Sequence, residues 1–192
     1  MKYDQFALFE TRPVLPDGFV YQPEVLSREL EESVARQIPS LPLKEYEFQG
    51  YTGKRRVAAF GTRRDRDDPS IMRSTEIPSF ILPVRELAAR VAGMEPDELQ
   101  MVLVTEYGAG VAIGWHRDRD VYDTVVGVSL LSSCNFRLRR RVGTAWERVS
   151  LIAEPRSVYV MAGESRNVWE HSIPAVPALR YSITFRNLRE PR

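Results

Sequence analysis

The only two histidines of the chain are His116 and His171, and His116 lies two residues before Asp118. In an extended segment, residues i and i+2 point to the same face, so His116 and Asp118 can direct an imidazole and a carboxylate toward one ion. If His171 returns on a neighbouring strand, the three side chains form the two-histidine, one-carboxylate face that binds non-haem iron(II) and leaves coordination positions open for oxygen chemistry. A His-x-Asp motif also arises by chance, and His171, close to Trp169, is also compatible with a hydrogen-bonded core residue.

A strictly alternating segment, residues 180–186, follows His171 closely. One face carries polar residues, namely Arg180, Ser182, Thr184 and Arg186, and the other face carries Tyr181, Ile183 and Phe185. The two arginines start about 20 Å apart at roughly 3.3 Å per residue, and by leaning together they could hold the two ends of a short dicarboxylate. Arginine suits this task because its planar fork pairs bidentately with a carboxylate. The alternative is a solvated strand face with two surface arginines.

The first half of the chain predicts two helices that would support these residues. Leu26, Leu30, Val34 and Ile38 recur every four residues between Pro23 and Pro39, which indicates an amphipathic helix. A second helix is expected from Pro83, a favoured first-turn residue, to a stop at Gly93. Residues 50–61 are expected to form a short hairpin, and the charged residues 62–69 an exposed loop.

From Gln100 onward the chain consists of short β-branched or aromatic runs separated by turn residues. The predicted strands are residues 101–104, 124–131, 136–138, 149–152, 157–161 and 180–186. Many short strands without helical periodicity indicate a sandwich, jelly roll or barrel, here preceded by two buttressing helices. We therefore expect an α+β fold that is mainly β, in one domain over residues 1–192, with helices and a substrate lid in residues 1–99 and the catalytic core in residues 100–192.

Composition narrows the classes of function. The 192 residues, 43% of them hydrophobic, suit a single domain with a full core. The formal charge of +1 produces no global attraction to nucleic acid or to an anionic membrane, so such a partner must be bound by a local patch. Cys134 is the only cysteine, which excludes an intrachain disulfide and a cysteine-rich zinc site. We expect a cytoplasmic monomer with no membrane partner.

Taken together, the motifs resemble the AlkB family of iron(II)/2-oxoglutarate dioxygenases. The matching residues, which span about residues 102–187, are Tyr107, Gly110, His116-Arg117-Asp118, Gly163-Glu164-Ser165-Arg166, His171 and Arg180-x-Ser182-x-Thr184-x-Arg186. The resemblance implies a double-stranded β-helix, a relative of the jelly roll, that binds Fe(II) through His116, Asp118 and His171 and uses 2-oxoglutarate and O2.

The resemblance also implies roles for individual co-substrate residues. Arg180 would bind the distal carboxylate of 2-oxoglutarate with help from Tyr107 and Ser182, and Arg186 would bind the carboxylate nearer the metal. Thr184 belongs to the same motif. Thr105 departs from the family, which commonly has asparagine there, and the shorter hydroxyl puts direct contact with the co-substrate in question.

In the family the usual reaction is oxidative demethylation of a nucleobase, which implies alkylated DNA or RNA as the partner. Such an enzyme extrudes the base, stacks it on apolar side chains and holds the flanking phosphates. The candidate substrate residues are Tyr51 and Phe60 for stacking, Lys54, Arg55, Arg56, Arg63 and Arg64 for phosphates, Asp120 facing the base, and Arg137 or Arg139 across from it. Each is also compatible with packing or with a solvated surface.

Two other classes of function stay open. The first is an oxygenase with the same iron chemistry that hydroxylates a protein side chain or a small molecule, which the near-zero net charge favours. The second is a non-oxygenase, either a zinc hydrolase or a metal-binding jelly-roll module, which leaves Arg180 and Arg186 without a task.

Overall fold

The computed structural model describes residues 14–48, 51–65, 68 and 70–189, with the side chains of residues 47, 48 and 51–53 outside that description. The described helices are α1 (Arg28–Gln37), α2 (Leu82–Ala92) and α3 (Gly163–Asn167). The described strands are β1 (Phe19–Gln22), β2 (Lys44–Phe48), β3 (Tyr51–Arg64), β4 (Met72–Thr75), β5 (Met101–Tyr107), β6 (Ile113–His116), β7 (Tyr122–Leu130), β8 (Cys134–Val142), β9 (Ala145–Ala153), β10 (Val158–Met161), β11 (Glu170–Ile173) and β12 (Arg180–Leu188). Every strand that the sequence predicts after residue 100 is confirmed.

The strands form two antiparallel sheets. The major sheet has the order β1-β10-β7-β12-β5-β3-β2, with β4 paired to β3, and the minor sheet has the order β6-β11-β8-β9. A cluster of buried side chains from both sheets joins them face to face, including Tyr107, Tyr159, Phe136 and Leu138. The predicted fold, mainly β with a jelly-roll core, is confirmed.

The two predicted N-terminal helices cover the outer face of the major sheet. Helix α1 begins after Ser27, whose hydroxyl accepts a hydrogen bond from the Leu30 amide at 3.2 Å. Helix α2 ends at Gly93, which adopts a left-handed conformation with φ 66°. Their apolar faces pack on the outward side chains of the major sheet in a core that includes Val34, Ala88 and Val104. Both helix predictions are confirmed.

The segment before residue 100 also contributes more strand structure than the short hairpin that was predicted over residues 50–61. Strand β3 is 14 residues long and pairs with β2 on one edge and with β5 over Arg56–Gly61 on the other, so it is part of the major sheet and not of a hairpin confined to residues 50–61. Its end at Arg64 pairs with β4, so strand structure occupies part of the predicted loop over residues 62–69. Gly61 permits this close packing, because a Cβ there would lie 2.0 Å from the Gln100 carbonyl oxygen. Among the described residues, no helix has the length and apolarity needed to cross a bilayer.

Candidate active site

The two histidines face each other across the minor sheet. Antiparallel pairing of β6 with β11 places His116 directly opposite His171, and their ring centroids are 4.2 Å apart. Asp118 lies in the loop just after β6, and its Oδ2 atom is 3.7 Å from Nε2 of His171. The ring of Phe136 stacks on the ring of His171, with the two ring centroids 5.5 Å apart. The structure therefore brings the three predicted metal ligands together at the boundary of the core.

The protonation states of these groups suit metal binding. Burial lowers the pKa of His171 to about 3, with a further contribution from His116. Burial also lowers the pKa of His116. Burial alone would raise the pKa of Asp118, but the charge of Arg186 and the two imidazoles together outweigh it and hold that pKa below its usual range. At neutral pH the site therefore offers two neutral imidazoles and a carboxylate, which are the forms that bind a metal ion.

A backbone contact fixes which nitrogen of His116 is available. Nδ1 of His116 lies 2.9 Å from the Gly114 carbonyl oxygen. Because a carbonyl oxygen can only accept a hydrogen bond, Nδ1 carries the proton and Nε2 keeps its lone pair. The contact also fixes the orientation of the ring.

The donor set fits iron(II), although the carboxylate is engaged elsewhere. In the part of the chain that the structure describes, no three or more His, Cys, Asp and Glu side chains are grouped so that they could hold a metal ion as they stand. Oδ1 of Asp118 accepts hydrogen bonds from Nε and Nη2 of Arg186, at 3.0 and 2.6 Å. Oδ2 stays on the side of His171. Two imidazoles and one carboxylate remain a suitable set for non-haem iron, and their role as ligands is a proposal.

Arg186 is paired with Asp118 inside the protein, and its contact with the co-substrate stays a prediction. Its expected partner is the co-substrate carboxylate nearer the metal, whereas its guanidinium is paired with Asp118 and its Nη1 lies 3.4 Å from Sδ of Met101. Only 7% of Arg186 is exposed. The arginine thereby holds the carboxylate in position and neutralises its charge.

Arg180 is buried without a complete set of partners. It is 0% exposed, its Nε donates to Ser129 Oγ at 3.1 Å, and its Cζ lies 5.2 Å from the Tyr107 ring centroid. Its Nη1 and Nη2 atoms have no hydrogen-bond partner among the described residues. A buried guanidinium is costly unless it is paired, so this arrangement fits an incoming carboxylate.

The other predicted co-substrate residues surround Arg180 on the same face. The pairing of β12 with β5 places Arg180 opposite Tyr107 and Ser182 opposite Thr105, and Thr184 follows on the inward side. All of them are buried, which excludes the solvated strand face as an explanation of the alternation. Burial raises the pKa of Tyr107, so its phenol stays neutral and can donate a hydrogen bond to a carboxylate.

Two predicted lid residues lie on the wrong face of the major sheet. Arg56 is opposite Glu106, and its Nε and Nη2 pair with that carboxylate at 2.7 and 2.8 Å. Phe60 is opposite Val102 and packs against the core under the helices. Both point away from the face that carries Arg180, so their predicted contact with a base is wrong. Tyr51 begins β3, but its side chain lies outside the described residues.

The other predicted substrate residues have different positions. Arg137 and Arg139 alternate with Leu138, which is opposite His171, so they point to the outward face of the minor sheet. They cannot lie across the site from Asp120, and that prediction is wrong. Asp120 is exposed in the turn two residues after Asp118, and its contact with a base stays a prediction.

Arg166 is a positioning residue to which the sequence analysis assigned no role. Its side chain is 2% exposed, and Nη2 donates to the carbonyl oxygens of Arg119 and Tyr122 at 2.6 and 3.0 Å. These carbonyls border the loop that carries Asp118. The Gly-Glu-Ser-Arg motif was the available signal, but nothing local in it indicates a partner 44 residues away.

Comparison with known proteins identifies the class of this site. The model of the 2OG-Fe(II) oxygenase superfamily matches residues 21–186. The chain belongs to this superfamily. The expected enzyme class, a dioxygenase that uses Fe(II), 2-oxoglutarate and O2, is confirmed at the level of the family.

The similar proteins include AlkB homologues. The oxygenase is 28% identical over 145 residues to an Arabidopsis thaliana protein named "Alkylated DNA repair protein ALKBH8 homolog", covering 63% of this chain and 42% of the relative. It is 26% identical over 152 residues to "Uncharacterized protein L905" of Acanthamoeba polyphaga mimivirus, covering 70% of each chain. The solved structure of OsALKBH1 superposes with a TM-score of 0.60 at 18% identity, over 91% of this chain and all of the other, which shows a shared fold. The oxygenase spans less than half the length of the plant relative.

Proposed function

We propose that this oxygenase removes alkyl groups from nucleobases of DNA or RNA by oxidation. The observation that carries the dioxygenase part is Arg180, whose buried and unpaired fork lies in the same interior as the two histidines and Asp118. Support for the substrate class comes from the plant relative, whose name assigns it to the repair of alkylated DNA, and from the resemblance of the site motifs to the AlkB family.

In this proposal the protein contributes binding, orientation and charge. Nε2 of His116, Nε2 of His171 and a carboxylate oxygen of Asp118 would hold the iron. The iron, when bound, would supply O2 activation coupled to the oxidative decarboxylation of 2-oxoglutarate to succinate and CO2. Arg180 would bind the distal carboxylate of the co-substrate through Nη1 and Nη2, and the neutral Tyr107 would donate a further hydrogen bond to it.

The neighbouring residues would keep these groups in place. Arg186 fixes the rotamer of Asp118, and Arg166 fixes the backbone of the loop on either side. Gly114 holds the tautomer of His116, so its Nε2 is free to bind. A nucleobase would approach from the exposed loop around Asp120. An alkyl group that is hydroxylated at the carbon attached to a ring nitrogen is unstable. The bond between that carbon and the nitrogen would then break, which leaves the unalkylated base in the strand and releases an aldehyde.

The test is turnover with a defined panel of substrates. The purified chain is supplied with Fe(II) and 2-oxoglutarate and given methylated single- and double-stranded DNA or RNA, with unmethylated oligonucleotides and methylated peptides for comparison. We expect succinate and formaldehyde in equal amounts, and the restored base by mass spectrometry, only with methylated oligonucleotides. His171→Ala should abolish this turnover, whereas Glu32→Gln, an exposed change on α1, should leave it intact. Product release stimulated only by peptides would instead support a protein hydroxylase.

A further inference from the structure

The outward face of the minor sheet carries a continuous ladder of arginine and tryptophan. Along β8, Phe136 and Leu138 point into the core, so Arg137, Arg139 and Arg141 point outward. We call the outward set Trp115, Arg137, Arg139, Arg141 and Trp146 the tryptophan–arginine face. It lies on the opposite side of the minor sheet from His171.

The contacts within this face alternate between the two residue types. Cζ of Arg139 lies 4.4 Å from the ring centroid of Trp115 and 4.1 Å from that of Trp146. Arg137 lies 5.1 Å from the Trp115 centroid, and Arg141 lies 5.3 Å from the Trp146 centroid. Stacking of this kind uses the faces of the guanidinium groups and leaves their N–H edges available. The aromatic rings therefore hold the arginines in place while their donors stay usable.

The hydrogen-bond donors that remain available on this face are the terminal groups of its cationic arginines. Arg137 and Arg139 use Nε for local contacts, to Ser172 Oγ at 3.1 Å and to Glu170 at 2.6 Å. Their Nη atoms have no hydrogen-bond partner within the described ranges, and neither does the guanidinium of Arg141. Arg148, opposite Arg139 on β9, adds a fourth cation; Arg141 and Arg148 are exposed, and Arg137 and Arg139 are partly buried. Four arginines thus face one glutamate on this surface, in a chain whose formal charge is only +1.

We propose that the tryptophan–arginine face binds the backbone of an extended single strand of nucleic acid. This inference rests on the proposed nucleic-acid substrate. Successive outward arginines on β8 are about 6.6 Å apart, a spacing that suits consecutive phosphates of an extended strand better than the irregular carboxylates of a folded protein. Interleaved aromatic rings and cations are the usual means of binding a single strand without sequence preference. Because the face points away from His171, it would hold nucleotides distant from the one being oxidised.

The test measures binding without turnover. The full chain is titrated into an unmethylated, fluorescein-labelled 20-nucleotide single strand, and anisotropy is recorded over a series of salt concentrations. The face variant is R137Q/R141Q/R148Q, and the matched control is R28Q/R36Q/R90Q, which changes the net charge equally at exposed positions on or near the helices. Each lost phosphate contact should reduce the slope of log K against log salt by about 0.7. We expect the face variant to lose about 2 in slope and to bind at least tenfold more weakly at low salt, and the control to match the parent.

Three results would overturn the inference. Equal losses in both variants would mean that net charge alone governs binding. Binding of a polyglutamate peptide that competes with the strand and depends equally on the face would assign the surface to an acidic protein partner. Failure of the parent to bind the 20-mer, combined with turnover of a methylated dinucleotide, would reject this surface while leaving the proposed function intact. Thermal unfolding of both variants confirms that each is folded.

Discussion

Methionine in place of Arg186 should destabilise the metal-free protein, whereas methionine in place of Arg180 should not. Both arginines are buried on the same face of β12, and methionine has a similar length and an unbranched chain. They differ in their partners. Arg186 is paired with a buried carboxylate, while Nη1 and Nη2 of Arg180 have no hydrogen-bond partner among the described residues.

The expected magnitudes follow from these contacts. Arg186→Met leaves Asp118 buried and unpaired, and breaking such a pair costs about 3–5 kcal/mol of unfolding free energy. Arg180→Met removes two unpaired donor groups, each unfavourable by about 1–3 kcal/mol. It also loses the charged hydrogen bond to Ser129, worth about 1.5–3 kcal/mol, and a cation–π contact with Tyr107 worth up to about 2 kcal/mol. These terms nearly cancel, so the two variants should differ by roughly 3 kcal/mol or more.

Urea unfolding with a chelator present measures both variants, because the three tryptophans of the chain report on the fold. A second series adds manganese(II), in place of iron(II), and 2-oxoglutarate. At a concentration 100 times its dissociation constant, the co-substrate should stabilise the parent by about 2.7 kcal/mol. It should not stabilise Arg180→Met, because the fork that would bind its distal carboxylate is missing.

Two results would refute this reasoning. If both variants lose the same stability, the unpaired donors of Arg180 are not a burden in the folded protein. If 2-oxoglutarate stabilises Arg180→Met as much as the parent, the distal carboxylate binds elsewhere.

Two further predictions concern the interior of the site. Gly127→Ala should lower the unfolding free energy by about 1–3 kcal/mol, because the new Cβ would lie 2.0 Å from Cζ of Tyr159. In a double-mutant cycle, the added change Tyr159→Ala should remove that penalty. If the losses of the two single variants are additive instead, there is no clash between these two side chains. Since burial lowers the pKa of His171 to about 3 from 6.5, the folded state holds the imidazole neutral, and the unfolded state takes up a proton below pH 6.5. The unfolding free energy of the metal-free protein should therefore fall by about 2 kcal/mol between pH 8 and pH 5 because of this histidine. Urea titrations of His171→Gln should show a smaller fall over the same range. A fall as large as that of the parent would exclude His171 as the cause.

Local patterns in the sequence were sufficient to predict individual helices and strands and, for some of them, which side chains face the core. The alternation in residues 180–186 gave the polar face of β12 correctly, because side-chain direction in a strand depends only on parity. The four-residue repeat of Leu26, Leu30, Val34 and Ile38 likewise gave the buried face of α1. Helix α3 has only five residues, too few for any periodicity to indicate it.

The pairing and register of the strands could not be predicted from local patterns. Whether Arg56 or Arg55 faces the site depends on the register of β3 against β5, which no local pattern encodes. Both were candidates for phosphate contact. The charge of Arg55 contributes to the pKa of both His116 and Tyr107, so Arg55 is the one of the two that lies close to the site. The outward direction of Arg137 depends in the same way on the pairing of β8 with β11. The Arg186–Asp118 pair joins residues 68 positions apart.

The position of β12 in the major sheet explains how one strand can carry both buried arginines of the site. It lies between β7 and β5 in the major sheet, so its backbone is hydrogen-bonded on both edges and its inward side chains are shielded from water. In that setting each guanidinium needs an anion. The protein supplies one internally, Asp118, which must be ionised to bind a metal and which Arg186 keeps ionised. Among the described residues it supplies none to Arg180, and this unpaired fork is where we propose that a ligand brings its own carboxylate into the same interior.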